Sequence, residues 1–246
     1  MSRKRVAIVQ SNYIPWKGYF DLINSVDEFV LYDDVQYTKR DWRNRNMIKT
    51  ATGLQWLSVP IDVKGRYLQK ICEARISDAT WQKKHWASIV GAYAKASGFQ
   101  EGRDLLEPLY GSSKFVHLSE MNRVFLQALC RFLGIATKIS VSMDYKIDGE
   151  DKTEKLVSLC KQAGATDYLS GPSAKCYMSE SLFHSEGITV SYFDYSGYRE
   201  YRQLHGAFEH GVSVIDLIMN EGLGANQFLK TFQSQRQIHE ERTCAN

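Results

Sequence analysis

Two short apolar runs, Val6-Ala-Ile-Val9 and Phe29-Val-Leu31, bracket a segment whose apolar residues fall at helical spacing. No other feature constrains the chain so strongly. The first run ends at Gln10, and Asn12 and Pro15 then interrupt any regular element. Over residues 18–25, Tyr19, Phe20, Leu22 and Ile23 form the stripe of an amphipathic helix. The second run, residues 28–32, is closed by Asp33-Asp34. A strand–helix–strand unit closes as a parallel pair with a right-handed crossover, so both strands end at one rim of their sheet. The loops that follow, residues 10–16 and 33–46, are therefore expected to face one crevice.

The rest of the chain extends this pattern. Residues 54–60 and 68–76 read as strands, and a helix is expected over 80–95 behind Asp78. A stronger helix starts at Leu118, with Met121, Phe125, Leu129 and Phe132 on the same face, and Gly134 closes it. Residues 137–141, 168–170 and 188–193 read as strands. Between them lie helices over 152–163, opened by Asp151 and Glu154 as a capping box, and over 179–185. Two more helical stretches cover 212–220 and 223–232. Alternating strands and helices imply an α/β fold: a mainly parallel, Rossmann-like sheet with helices on both faces and a binding rim at the C-terminal strand ends. No linker or repeat interrupts it, so residues 1–232 are expected as a single domain and 233–246 as a polar tail.

Composition serves mainly to exclude. Hydrophobic residues make up 43% and charged residues 24%, which fits a folded globule and not a disordered chain. The net charge of +3 is too mild to favour nucleic acid. Cys72, Cys130, Cys160, Cys176 and Cys244 are scattered without a CxxC pair, so neither zinc nor disulfides are expected. Reduced thiols suit the cytoplasm. His205 and His210 have the wrong spacing for a helical metal pair, and no cofactor motif occurs. No apolar run is long enough for membrane insertion.

The candidate site residues lie in the two loops. The first leads into a helix N-terminus, where free backbone N–H groups favour an anion. Gly18 would permit close approach and Lys17 would add charge, with Gln10, Asn12, Tyr13 and Trp16 as further contacts. A tight turn packed on Pro15, Trp16 and Tyr19 has the same composition. Asp33 and Asp34 fall on opposite faces of their strand, so one can orient a basic side chain while the other acts as a base. A solvated strand end reads alike. In Lys39-Arg-Asp-Trp-Arg-Asn-Arg-Asn46, the cations Lys39, Arg40, Arg43 and Arg45 face only Asp41, with Asn44 among them. Arginine forks suit carboxylate or phosphate and Trp42 can stack on a ring, although a solvated basic loop looks similar. Gly171 begins a Gly-Pro turn on the same rim. Cys176 reads as an inert thiol and Asp216 as a structural acid in an apolar helix.

Two long strings carry a resemblance: Ile8-Val-Gln-Ser-Asn-Tyr-Ile-Pro-Trp-Lys-Gly-Tyr-Phe20 and Phe29-Val-Leu-Tyr-Asp-Asp-Val-Gln-Tyr-Thr-Lys-Arg-Asp-Trp-Arg-Asn-Arg-Asn46. Both are similar to the opening motifs of the WbqC-like family. The similarity continues through Trp56-Leu-Ser-Val-Pro60, Tyr168-Leu-Ser-Gly171 with Tyr177, Tyr201-Arg-Gln203, and Ser213-Val-Ile-Asp-Leu217 with Asn220 and Gly222. The family's usual Gln-Pro is Gln10-Ser11 here, and Pro172-Ser173 stands where members often carry a second glycine. The resemblance implies a role in bacterial O-antigen or related polysaccharide synthesis, as a transferase of a small acyl or glycine-like aminoacyl group to an amino sugar. On that reading Asp33 or Asp34 accepts a proton from the attacking amine, Gln10 and Asn12 face the developing oxyanion, and Arg43 or Arg45 grips phosphate or carboxylate. The partner would be a sugar or nucleotide sugar, with a carrier protein as a candidate donor. Two alternatives stand beside it. One is nucleotidyl or phosphoryl transfer, weakened because Trp16-Lys-Gly-Tyr19 stands where nucleotidylyltransferases carry His-x-Gly-His. The other is a non-catalytic ligand-binding or assembly protein.

Overall fold

The structure, a computed structural model, describes residues 3–111 and 114–233; most of the expected tail, with Cys244, lies outside them. The chain begins β1 (Arg5–Val9), α1 (Lys17–Asn24), β2 (Glu28–Leu31), β3 (Arg45–Thr50) and β4 (Gly53–Ser58). Helices α2 (Trp81–Tyr93), α3 (Phe99–Gly111) and α4 (Leu118–Leu133) follow. Then come β5 (Lys138–Val141), α5 (Lys152–Gln162), β6 (Asp167–Ser170), α6 (Glu180–Ser185), β7 (Thr189–Tyr192) and α7 (Val214–Glu221).

Five strands form one sheet in the order β5-β2-β1-β6-β7, and every neighbouring pair is parallel. The chain therefore builds outward from β1 in one direction, then returns to β1's other side and builds the opposite way. The order reverses between β1 and β6, which is the topological switch point of a Rossmann-like sheet. Ile8 sits in register with Val30, and both are buried. Alternation divides the strands between two apolar layers. Ala7, Phe29 and Leu31 pack with Phe20 and Ile23 of α1 and Leu126 and Leu129 of α4. Val6, Ile8 and Val30 pack on the other face with Leu156 and Leu159 of α5 and Phe183 of α6. Local signals hold where they are strong: Asp151 caps α5 through the Glu154 N–H at 2.9 Å, and Gly134 ends α4 in the left-handed region at φ 76°.

Three segments depart from the sequence expectation. Residues 68–76 form no strand but a short 3-10 turn at Ile71–Glu73 between isolated bridges. Residues 54–60 do contain a strand, yet β4 pairs antiparallel with β3 in a separate hairpin. Helix α3 was not anticipated. Pro108 and a run of Gln, Glu, Gly, Arg and Asp mask its face, of which only Gly102, Leu106 and Tyr110 are buried. Its approach to α7 is close: a Cβ on Gly98, just before α3, would stand 2.2 Å from the Gly222 backbone nitrogen.

Several buried polar groups are paired with one another. Asp216 accepts hydrogen bonds from Tyr93 Oη at 2.7 Å and Tyr201 Oη at 2.8 Å. Tyr13 is wholly buried, its hydroxyl 2.9 Å from His85 Nδ1 and 2.6 Å from Tyr110 Oη. At the rim opposite the loops, Glu28 receives Lys4 Nζ at 2.8 Å, Ser140 Oγ at 2.7 Å, Tyr145 Oη at 2.5 Å and Lys138 Nζ at 3.0 Å.

Two pH effects on stability follow. Burial alone would raise the Glu28 pKa, but its four donors together outweigh burial and bring it to about 2. Its contribution is complete above the ordinary glutamate range and is lost as pH falls toward 2. Burial lowers the His85 pKa to about 4, against a smaller opposing effect of the Ser58 carbonyl. The unfolded chain protonates this histidine first, so stability falls as pH drops from about 6.5 toward 4. Urea titrations across these windows should show Glu28→Gln flattening the lower one and His85→Gln the upper one. Each effect has a ceiling of about 1.4 kcal/mol per pH unit, the value for one proton. A wild-type slope retained in both variants would contradict the assignment.

Candidate functional site

The loop over residues 10–16 leaves β1 at the switch point, and its shape is fixed by a carboxylate from the next strand. Asp33 follows β2 and is fully buried. It accepts the Ser11 N–H at 2.8 Å and the Ser119 hydroxyl from α4, while its carbonyl takes the Cys72 N–H at 3.0 Å. Asn122, one turn further along α4, donates to Ser11 Oγ at 3.0 Å and to the Arg43 carbonyl at 2.9 Å. Ile14 adopts φ 38°, a costly conformation for a β-branched residue, and its carbonyl is held by Asn46 Nδ2 at 3.0 Å.

Arg43 closes the second loop onto the first. Its Nη1 donates to Asn12 Oδ1, and its Nη2 donates to Gln10 Oε1 at 2.7 Å and lies 3.6 Å from Asp41 Oδ2. A guanidinium only donates, so both carboxamides must turn their oxygens toward it and their NH2 groups away. Neither NH2 group hydrogen-bonds to any described residue. One cation and two carboxamides with unused amide donors thus stand together at the C-terminal rim. Asn122 Oδ1 is also buried without a partner, leaving an acceptor behind the same loop.

The remaining residues named from sequence are dispersed. Asp34 is partly exposed and pairs with Lys70 at 2.5 Å, which raises the lysine's pKa. Gly171 follows β6 across the switch point from Gln10, with open space where a Cβ would stand. Tyr13 belongs to the core, and Asn44 is buried with Nδ2 on the Val59 carbonyl at 2.8 Å. Lys39 and Arg40 are exposed, Lys39 lying over Tyr67 at 5.1 Å, and Arg45 stacks on Trp56 at 4.1 Å.

The start of α1 is filled by its own side chains. A Cβ on Gly18 would lie 2.3 Å from the Trp16 ring, so the glycine accommodates Trp16 and not a ligand. Trp16 in turn packs on Tyr195 and Tyr198. Lys17 is buried, donates to the Arg199 carbonyl at 2.8 Å and faces the rings of Tyr198, Tyr201 and Phe208. Burial lowers its pKa to about 8, against the pull of Asp21, Asp216 and Glu200.

Sequence reasoning passed over Ser11, Ser119, Asn122 and Lys70. For α4 a signal existed: Ser119 and Asn122 are polar residues beside Leu118 and Met121 at the start of an otherwise apolar helix face. No cluster of three or more potential metal ligands occurs among the described residues. No helix among them is long and apolar enough to cross a membrane.

An uncharacterized protein of Mycobacterium tuberculosis is 53% identical over 227 residues, covering 92% of this chain and 98% of its own length. No solved structure shows a significant match. The pattern of the WbqC-like protein family matches residues 10–228, from the loop after β1 through β2 to β7 and α7, and the chain belongs to that family.

Proposed function

We propose that the chain is a transferase that places a small acyl or aminoacyl group on the amino group of a sugar destined for bacterial surface polysaccharide. The observation that carries this reading is the Arg43 guanidinium held between Gln10 and Asn12, which turns two carboxamide donors outward beside a cation. Donors fixed before the reaction suit an oxygen that gains charge during it. The sugar amine attacks the carbonyl carbon of an acyl thioester, the class of donor a carrier protein would present. A C–N bond forms, the C–S bond breaks, and the amine's proton passes through a base to the departing thiolate. Gln10 and Asn12 donate to the carbonyl oxygen, and the remaining Arg43 N–H groups hold phosphate or carboxylate of the substrate. Asp34, on the open side of the rim, accepts the proton. Asp33 is assigned a positioning role, because a carboxylate with no exposed surface and two donors already in place cannot receive an incoming amine.

The test is to incubate the purified protein with amino sugars, free and nucleotide-linked, and short acyl or aminoacyl thioesters, and to look for the N-acylated product by mass spectrometry. Asp34→Asn should lower kcat by about 10²–10⁴-fold, the usual worth of a general base. Asp33→Asn should instead cost about 1–3 kcal/mol of stability, because it disturbs a buried acceptor. Arg43→Ala should raise KM and lower kcat together, because it removes the anion grip and frees both carboxamides, and Arg43→Lys should restore little, since one ammonium cannot fork onto both. Near wild-type turnover in Asp34→Asn would remove the assigned base. Near wild-type KM in Arg43→Ala would remove the anion grip.

A further inference from the structure

Of the five tryptophans, Trp81 is buried and Trp16 and Trp86 are partly buried. The two most exposed, Trp42 at 43% and Trp56 at 42%, stand together, with ring centroids 5.6 Å apart and planes tilted by 39°. Leaving two indoles in water is unfavourable, and both are held in place. The Trp42 N–H donates to Asp41 Oδ1 at 2.7 Å, and its carbonyl takes the Tyr13 N–H at 3.0 Å. Trp56 lies on β4 with the Arg45 guanidinium 4.1 Å from its ring centre. A ring on a pinned backbone that already rests on a neighbouring ring loses less entropy when something stacks on it. Trp42 is also the immediate neighbour of Arg43, so their Cα atoms are about 3.8 Å apart. Lys39 and Arg40 are exposed in the same loop, with only Asp41 opposing them there.

We infer that Trp42 and Trp56 form a stacking platform for the base of a nucleoside diphosphate whose phosphates rest on Arg43. This rests on the Arg43 reading above and deepens it: the amino sugar arrives nucleotide-linked, not free. A planar base suits half-exposed indoles beside a guanidinium, and base stacking on aromatic rings tolerates any base. Positive charge in the loop that carries Trp42, and on Arg45 against Trp56, matches the diphosphate, which a free amino sugar lacks.

Calorimetric titrations with inorganic pyrophosphate and with UDP, CDP, ADP and GDP separate the two readings. At least one nucleoside diphosphate should bind about 5- to 100-fold more tightly than pyrophosphate, the usual worth of one stacked base. Trp42→Ala or Trp56→Ala should erase that advantage while leaving pyrophosphate affinity unchanged. Trp42→Phe and Trp56→Phe should keep most of it, which guards against a merely misfolded alanine variant. Arg43→Ala should weaken both ligands. If nucleotides and pyrophosphate bind alike, or the alanine variants lose nothing, the platform is overturned while the anion site stands. If neither ligand binds, both readings fall. Tryptophan-dependent binding of a free amino sugar without a nucleotide effect would overturn the inference in favour of a sugar ring. An alanine variant that only changes oligomeric state would make the patch a self-association surface and overturn it as well.

Discussion

The geometry of the rim depends on one buried carboxylate. Asp33 has no exposed surface, so its charge is tolerable only because donors surround it. Those donors come from the loop after β1 and from the first turn of α4, and the acid therefore ties together three parts of the fold. Ser11 is the pivot: its N–H meets Asp33, and its hydroxyl receives Asn122. With Ser11 fixed, the residues on either side of it, Gln10 and Asn12, are presented as a pair. Arg43 then meets both because Asn122 also holds its backbone carbonyl.

The loop is confined from other directions too. The Tyr13 N–H bonds the Trp42 carbonyl, and the Val214 N–H, at the start of α7, takes the Pro15 carbonyl at 2.9 Å. The Ser213 N–H bonds the Met47 carbonyl of β3 at 2.9 Å, so the hairpin and α7 brace one another beside the loop. Such bracing explains how Ile14 can persist at positive φ, a conformation that costs about 1–3 kcal/mol when nothing enforces it.

The sheet was legible because its strands are short apolar runs between clear breakers, and because right-handed crossovers leave little freedom once β1 and β2 are recognised. The hairpin was not. Met47-Ile-Lys-Thr50 directly continues a basic polar loop, and neither its length nor its composition announces pairing with β4. At the site, residue types were readable but destinations were not. Alternation puts Asp33 and Asp34 on opposite faces, yet which face is sealed depends on α4, some eighty residues away in the chain. Tyr13 and Asn12 are neighbours of similar polarity; one enters the core to meet His85 while the other meets Arg43. Only packing separates them.

The contrast between Lys17 and Arg43 explains where positive charge remains usable. A helix N-terminus after a switch-point strand ordinarily offers its N–H groups to an anion, and a lysine there would reinforce it. Here the Trp16 ring lies over Gly18, and the Lys17 ammonium is enclosed by a carbonyl and three aromatic rings. Burial brings its pKa to about 8, so it retains its proton at neutral pH at some expense in stability. Its charge is spent on holding residues 198–208 against the fold. Arg43 is different in kind. Five N–H groups in a rigid fork allow it to lock Gln10 and Asn12 and still have donors left over. A lysine in its place could fix one carboxamide or meet a ligand, but not both. At the start of α1 the space is taken by Trp16 and the lysine by its own surroundings, whereas Arg43 keeps N–H groups beyond those it gives to Gln10 and Asn12.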